Sequence, residues 1–183
     1  LKDNLKLINK ADDSEVLSKK EKDSNGVYLI PAFSGLGPPF WISNARAAFF
    51  GISASTNNNH LVRAGLESVA YQMVVYLEFM KKTRNLDLKN LSIDGGMVKN
   101  KFFLQIISDL MDIELSIPEM EDMSSYGALL FGIQYYNNYN SFNDLRVFEV
   151  KNSKITPNYN KDIRNSYSSW KDIVDKHFVK NQD

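Results

Sequence analysis

The chain of 183 residues contains no cysteine and only two histidines. Without cysteine it can form neither a disulfide framework nor a thiolate metal site. The two histidines, His60 and His177, are far apart in the sequence and lack the spacing of metal ligands, so we predict no metal site of the His/Cys type. The absence of cysteine suits a reducing compartment, and we expect a cytoplasmic protein.

Neither sign of charge is in excess, because 22 Lys and Arg residues balance 22 Asp and Glu residues. A basic patch would favour nucleic acid or an anionic membrane, and without one we expect neither partner. Unbroken apolar runs are only a few residues long, too short for a membrane-spanning helix, and no signal peptide is apparent at the first residues. The carboxylates show no paired spacing, so we predict no general acid–base pair.

The length allows one domain or one half of a larger enzyme. Leu5, Leu7 and Ile8 show helical spacing from the very start, so we expect a fragment that begins within an element. No repeat and no second domain boundary is visible, and residues 1–183 are predicted to form one lobe. The charged segment 12–25 predicts an exposed helix end and turn.

Two strands and a stiff loop are predicted next. Residues 27–33 and 47–52 predict an antiparallel pair, the first strand being ended by a proline. Between them, the sequence SGLGPPFW at 34–41 combines glycine, proline and aromatic residues, which is typical of a specifically shaped loop that carries function. The alternative is that Phe40 and Trp41 simply cover the edge of the core.

The longest periodic segment follows a run of three asparagines that supplies N-cap chemistry. Its apolar residues recur at steps of three and four from Leu66 to Met80 and predict a core helix, while Arg63 and Glu67 lie outside that stripe.

Further elements are predicted towards the C-terminus. Residues 113–117 predict a strand, and residues 126–136 predict a helix whose small residues, Gly127 and Gly132 among them, let another backbone approach closely. A polar connection then leads to a final amphipathic helix, which begins near Ile163.

The stretch LSIDGGMVKN at 91–100 is the best candidate for a functional site. A strand ends at a glycine pair, and a helical pattern starts from Val98. The absent side chains at Gly95 and Gly96 would let a flat base or a phosphate approach the backbone, and free N–H groups of the first helical turn would favour a polar or anionic ligand. Asn100, placed two residues into the helix, could add hydrogen bonds. The pattern matches neither dinucleotide nor P-loop motifs, so a purely structural turn is the alternative.

Three segments, at 26–41, 45–72 and 93–111, together resemble the C-terminal half of the glycerol kinases, a group within the FGGY carbohydrate kinase family. The match includes the family signature around Gly51 and His60. Departures are few: for example, Ile-Ser-Asn at 42–44 replaces the usual Asp-Pro-Tyr, and proline replaces alanine in the loop before it.

The resemblance implies an α/β fold of the ribonuclease-H-like, actin-like ATPase type, a mixed sheet flanked by helices, facing an N-terminal lobe across a cleft. It implies binding of ATP or ADP, with Gly96 and Asn100 at nucleotide contacts, and transfer of the γ-phosphoryl group to glycerol, giving glycerol 3-phosphate. The phosphate loop, the acceptor site, the general-base aspartate and the Mg²⁺ ligands are expected in the absent half. Another sugar or polyol kinase, a non-catalytic actin-like nucleotide-binding protein and a homo-oligomer are left open.

Overall fold

The computed structural model describes residues 1–3, 5–120, 122–139, 141, 143–145 and 150–180. The described chain forms helices and strands in the order α1 (Asp13–Ser18), β1 (Tyr28–Ile30), β2 (Ala48–Phe50), α2 (Asn58–Arg84), β3 (Asn90–Ser92), α3 (Lys101–Met111), β4 (Glu114–Pro118), α4 (Met123–Tyr136), β5 (Asn152–Ile155) and α5 (Lys161–Val174). After the first two strands, helices and strands alternate. A 3₁₀-helix at Gly96–Lys99 precedes α3, and one π-helical turn at Asp175–Val179 follows α5.

The first sheet is the predicted antiparallel pair, in which β1 and β2 align with Leu29 opposite Phe49. Pro31 directly follows β1 and ends it, as expected for a residue that cannot donate to a ladder. After β2, Gly51 adopts a φ of +76°, and a Cβ placed on it would lie 2.0 Å from the carbonyl oxygen of Gly26. Glycine is therefore required where the end of β2 meets the residues before β1.

The second sheet is mixed, because β3 pairs in parallel with β4 and β4 pairs antiparallel with β5. The expected mixed sheet flanked by helices is confirmed. The predicted polar connection before the last helix contains a strand that was not predicted from the sequence, β5. Of the four residues of β5, Ile155 alone is apolar, so the strand is specified by backbone pairing with β4 rather than by an alternating pattern.

The core lies between α2, α3, α5 and the sheets. Its largest side chain is Trp170, which is fully buried on α5 and donates its indole N–H to the carbonyl oxygen of Leu29 at 2.8 Å. On α2 the predicted stripe is fully buried only at its start, at Leu66 and Ala70, while Met73 and Leu77 are partly buried against the core. Asn57 caps the helix by accepting from the backbone N–H of His60.

Two charged residues of α2 depart from their predicted placement. Arg63 and Glu67 lie outside the apolar stripe but are only 8% and 2% exposed, because residues 18–21 cover that side of the helix. The segment 12–25 is itself less exposed than predicted, since Ser14, Ser18 and Ser24 are buried. Residues 5–8 form no helix, contrary to their apolar spacing.

Helix α4 is apolar in composition yet has no buried residue among those described. Its small residues were expected to admit another backbone, but beyond the neighbouring residues and the adjacent backbone of α4 itself, no heavy atom of the described chain lies within 4 Å of a Cβ built on Gly127 or Gly132. Within the described residues, therefore, this chain does not make the predicted close approach. No helix in the part of the chain that the structure describes is long and apolar enough to cross a membrane.

Candidate functional site

The candidate site consists of a strand, a glycine turn and a helix, in the order that was predicted. β3 ends at Ser92, Gly95 takes a φ of +108°, and the 3₁₀-helix Gly96–Lys99 leads into α3. The α-helix begins at Lys101 rather than near Val98, because the chain first makes this tighter turn.

The two glycines of the turn are there for different reasons. Gly95 has a left-handed backbone that L side chains rarely adopt, whereas Gly96 does not. Apart from its chain neighbours and the adjacent backbone of the 3₁₀-helix, no heavy atom of the described residues lies within 4 Å of a Cβ built on Gly96. Packing within the described chain therefore does not require glycine at 96, and the backbone there is open to a ligand.

Asn100 has a role within the chain. It precedes α3 as its N-cap, not two residues into it, and its Oδ1 accepts from the backbone N–H of Phe103 at 2.9 Å. Its Nδ2 donates to the hydroxyl of Ser14 at 3.5 Å, and the residue is only 9% exposed. Its oxygen and its nitrogen each make one hydrogen bond within the chain, so a ligand would contact the second N–H donor of Nδ2 or the second lone pair of Oδ1.

The start of α3 is not an open anion site. In addition to the Asn100 cap, the carboxylate of Glu15 accepts from the backbone N–H of Lys101 at 3.3 Å. The prediction of free N–H groups is wrong for these two donors, and the carboxylate of Glu15, which is itself paired with Lys19, lies at the positive end of the helix. Because these donors are already occupied, the arrangement favours an uncharged, hydrogen-bonding part of a ligand over a phosphate group.

A pocket of about 250 Å³ lies between this turn and helix α1. It is lined by Ala11, Asp12, Ser14, Glu15, Gly96, Met97, Lys99 and Asn100. The α1 wall is not predictable from the sequence pattern, since no local spacing links residues that are more than 80 positions apart.

Two larger cavities lie beside the segment that connects β1 to β2. One of about 880 Å³ is lined by residues 41–48 together with Phe50, His177 and Phe178, and another of about 650 Å³ lies between residues 31–38 and helix α2. Trp41 is 74% exposed with a φ of +55°, whereas Phe40 packs against the core. The alternative of a simple core cover is thus confirmed for Phe40 and wrong for Trp41.

Both histidines are engaged within the chain. His60 accepts from the backbone N–H of Asn57 at its Nδ1 and directs its Nε2 to Glu21 at 3.4 Å, and the ring of His177 lies 4.9 Å from that of Phe50. Among the residues that the structure describes, no group of three or more His, Asp or Glu could hold a metal ion.

Structural comparison places the fold among sugar and polyol kinases. Plasmodium falciparum glycerol kinase, solved with ADP, superposes with a TM-score of 0.82 at 27% identity, covering 95% of this chain and 35% of that one. Gluconate kinase from Lactobacillus acidophilus superposes with a TM-score of 0.75 at 14% identity, covering 94% of this chain and 36% of that one, and shows the shared fold alone.

Sequence comparison gives a closer relationship. The glycerol kinase of Shewanella oneidensis is 40% identical over 95% of this chain and 35% of the relative, and that of Vibrio atlanticus is 38% identical over 95% and 34%. The chain thus spans about a third of the length of these curated relatives. The family model for the C-terminal domain of FGGY carbohydrate kinases matches residues 2–134. The chain belongs to the FGGY family of carbohydrate kinases.

Proposed function

We propose that this chain is the nucleotide-binding part of an ATP-dependent glycerol kinase, which transfers the γ-phosphoryl group of ATP to a terminal hydroxyl of glycerol and forms glycerol 3-phosphate. The observation that carries the proposal is the 40% identity to a glycerol kinase over 95% of the chain. Among the superposed structures, the glycerol kinase is likewise more similar in sequence, at 27% identity against 14% for the gluconate kinase. The PAFSGLGPPFW loop supports glycerol over a larger sugar, because a stiff loop favours the tight closure that excludes water around a small acceptor.

The nucleotide would enter the pocket between the glycine turn and α1. Gly96 exposes its backbone there, and Asn100 can donate through Nδ2. Because Glu15 places a carboxylate at the start of α3, we assign the uncharged base and sugar to this pocket and direct the phosphates away from it.

The remaining parts of the reaction lie outside this chain in our proposal. The described residues offer no cluster of metal ligands, so we place the Mg²⁺ ligands, the acceptor site and a general-base aspartate in the N-terminal lobe of the complete protein. Bound Mg²⁺ would neutralise phosphate oxygens during the in-line transfer. A cytoplasmic location and a homo-oligomer stay predictions from the sequence.

The test compares acceptors on the complete protein with ATP and Mg²⁺ under one condition. We expect kcat/KM for glycerol to exceed the values for xylulose, ribulose and gluconate by at least about tenfold. If kcat/KM for a pentulose exceeded that for glycerol by the same margin, glycerol would be wrong as the acceptor, while the assignment to the family would stand. No transfer to any of the four would contradict the kinase proposal itself.

A further inference from the structure

The guanidinium group of Arg63 joins three segments of the chain. Its Nε donates to Oε1 of Glu67 at 2.7 Å within α2. Its Nη1 donates to two backbone carbonyl oxygens beyond this helix, those of Ser18 at 3.1 Å and Glu21 at 2.6 Å. Its Cζ lies 4.9 Å from the centre of the Phe102 ring, in the first turn of α3. One side chain thus connects α2 with the end of α1 and with the start of α3.

The ion pair between Arg63 and Glu67 is buried and is expected to add little net stability. Burial raises the pKa of Glu67, while Arg63 opposes that shift, so the pair is a desolvated ion pair inside the protein. Such pairs contribute little net stability compared with apolar side chains of similar volume, although they can fix one geometry among several. Arg63 therefore matters for the geometry that it fixes between the segments it bonds.

The two segments held by Arg63 are those that form the walls of the candidate pocket. Helix α1 provides Ser14 and Glu15 on one side, and the residues that lead into α3 provide Gly96 and Asn100 on the other. Ser18 is the last residue of α1, and Phe102 is the second residue of α3, so a shift of the guanidinium group would move both walls relative to each other.

We propose that Arg63 is a positioning residue for the nucleotide pocket: it sets the gap between α1 and the glycine turn without touching the ligand. The inference rests on the proposed function of that pocket. Lysine at this position keeps the charge but lacks the planar fork, so it cannot bond Glu67 and both carbonyl oxygens while lying over the Phe102 ring.

The experiment titrates the complete protein with ADP and, separately, with glycerol, by calorimetry. For Arg63→Lys we expect ADP affinity to fall by about tenfold, because small displacements of binding groups carry large penalties, and glycerol affinity to stay unchanged. The matched control is Arg164→Lys, because Arg164 donates to the carbonyl oxygen of Asp109 near the other end of α3 and its guanidinium also lies over an aromatic ring, that of Tyr159. We expect the control to lower the melting temperature and to leave ADP affinity unchanged.

Three results would overturn the inference: wild-type ADP affinity in folded Arg63→Lys, an equal loss of ADP and glycerol affinity, or an equal loss of ADP affinity in Arg164→Lys. Should Arg63→Lys fail to fold, Phe102→Leu decides, with an expected loss of about threefold in ADP affinity and none for glycerol. Unchanged ADP affinity in Phe102→Leu would then overturn the inference. Failure of the proposed function can be told apart from failure of this inference, because in the first case the wild-type protein would not phosphorylate glycerol.

Discussion

At the scale of single residues, Gly96 offers the most direct test of the candidate site. It faces open space without a left-handed backbone, so a valine there can fold in place but would cover the backbone that the nucleotide must approach. We expect Gly96→Val in the complete protein to lose at least about tenfold in ADP affinity by titration. Gly132→Val is the matched control, since Gly132 also faces open space, and it should bind ADP normally. Unchanged ADP affinity in a folded Gly96→Val protein would make the turn purely structural.

Asn100 combines a structural and a proposed binding role in one side chain, and two substitutions separate them. Asn100→Ala removes the cap of α3 and should lower the free energy of unfolding by about 1 kcal/mol. Asn100→Asp keeps the capping oxygen but loses the amide donor, so we expect stability close to that of the wild type and about fivefold weaker ADP binding. Denaturant unfolding and ADP titration measure the two effects. Wild-type ADP affinity in Asn100→Asp would restrict this residue to its cap.

At the scale of elements, two glycines lie where the end of β2 packs against the residues before β1, and they differ in the space around them. Gly26 and Gly51 both have a left-handed φ, of +70° and +76°, but only at Gly51 would a Cβ meet backbone within 4 Å. We expect Gly26→Ala to cost about 1 kcal/mol of stability for its backbone alone. Gly51→Ala should cost about 3 kcal/mol or more, because a carbonyl oxygen lies where the methyl group would be. Equal losses in thermal or denaturant unfolding would contradict the clash.

The start of α2 is held to the segment after α1 by the carboxylate of Glu21, which accepts from the side-chain amides of Asn57 and Asn59. These hydrogen bonds lower the pKa of Glu21 below its ordinary value of 4.5. A lowered carboxyl pKa contributes stability that is fully present above the unfolded value and is lost as the pH falls through the folded value.

We therefore expect wild-type protein to be more stable than Glu21→Gln near neutral pH, and the difference to close as the pH falls below 4.5. Denaturant unfolding of both proteins across that range is the measurement. Asn59→Ala removes one donor and should make the pH dependence shallower. A gap between wild type and Glu21→Gln that is independent of pH would mean that these hydrogen bonds do not act on the ionised carboxylate.

At the scale of the whole molecule, the chain spans about a third of the length of its curated relatives. Phosphoryl transfer depends on positioning and charge stabilisation from both walls of a cleft, and our proposal places only one wall here. We expect the isolated 183-residue chain to release no glycerol-dependent ADP above background in a coupled assay. The complete protein, measured alongside, is the positive control. Glycerol-dependent ADP release by the isolated chain would contradict the division of roles between the lobes.

The sequence by itself determined those features that depend on neighbouring residues. Pro31 ends a strand because it lacks a donor, Asn57 caps a helix through its own side chain, and the stripe from Leu66 onwards marks the buried face of α2. The order of strand, glycine turn and helix around Gly96 was predictable for the same reason. Motif resemblance added the family, which the family model then confirmed.

Tertiary structure alone decided which distant segments meet. Arg63 is buried because it finds carbonyl oxygens 42 and 45 residues away, and Glu15 occupies the start of α3 from 86 residues away. β5 forms because β4 offers it backbone partners. Backbone carbonyl and N–H groups are present at nearly every position, so their long-range pairing leaves no signature in the residue types. For that reason the second wall of the pocket, and the side chain that holds it in place, became visible only in the folded chain.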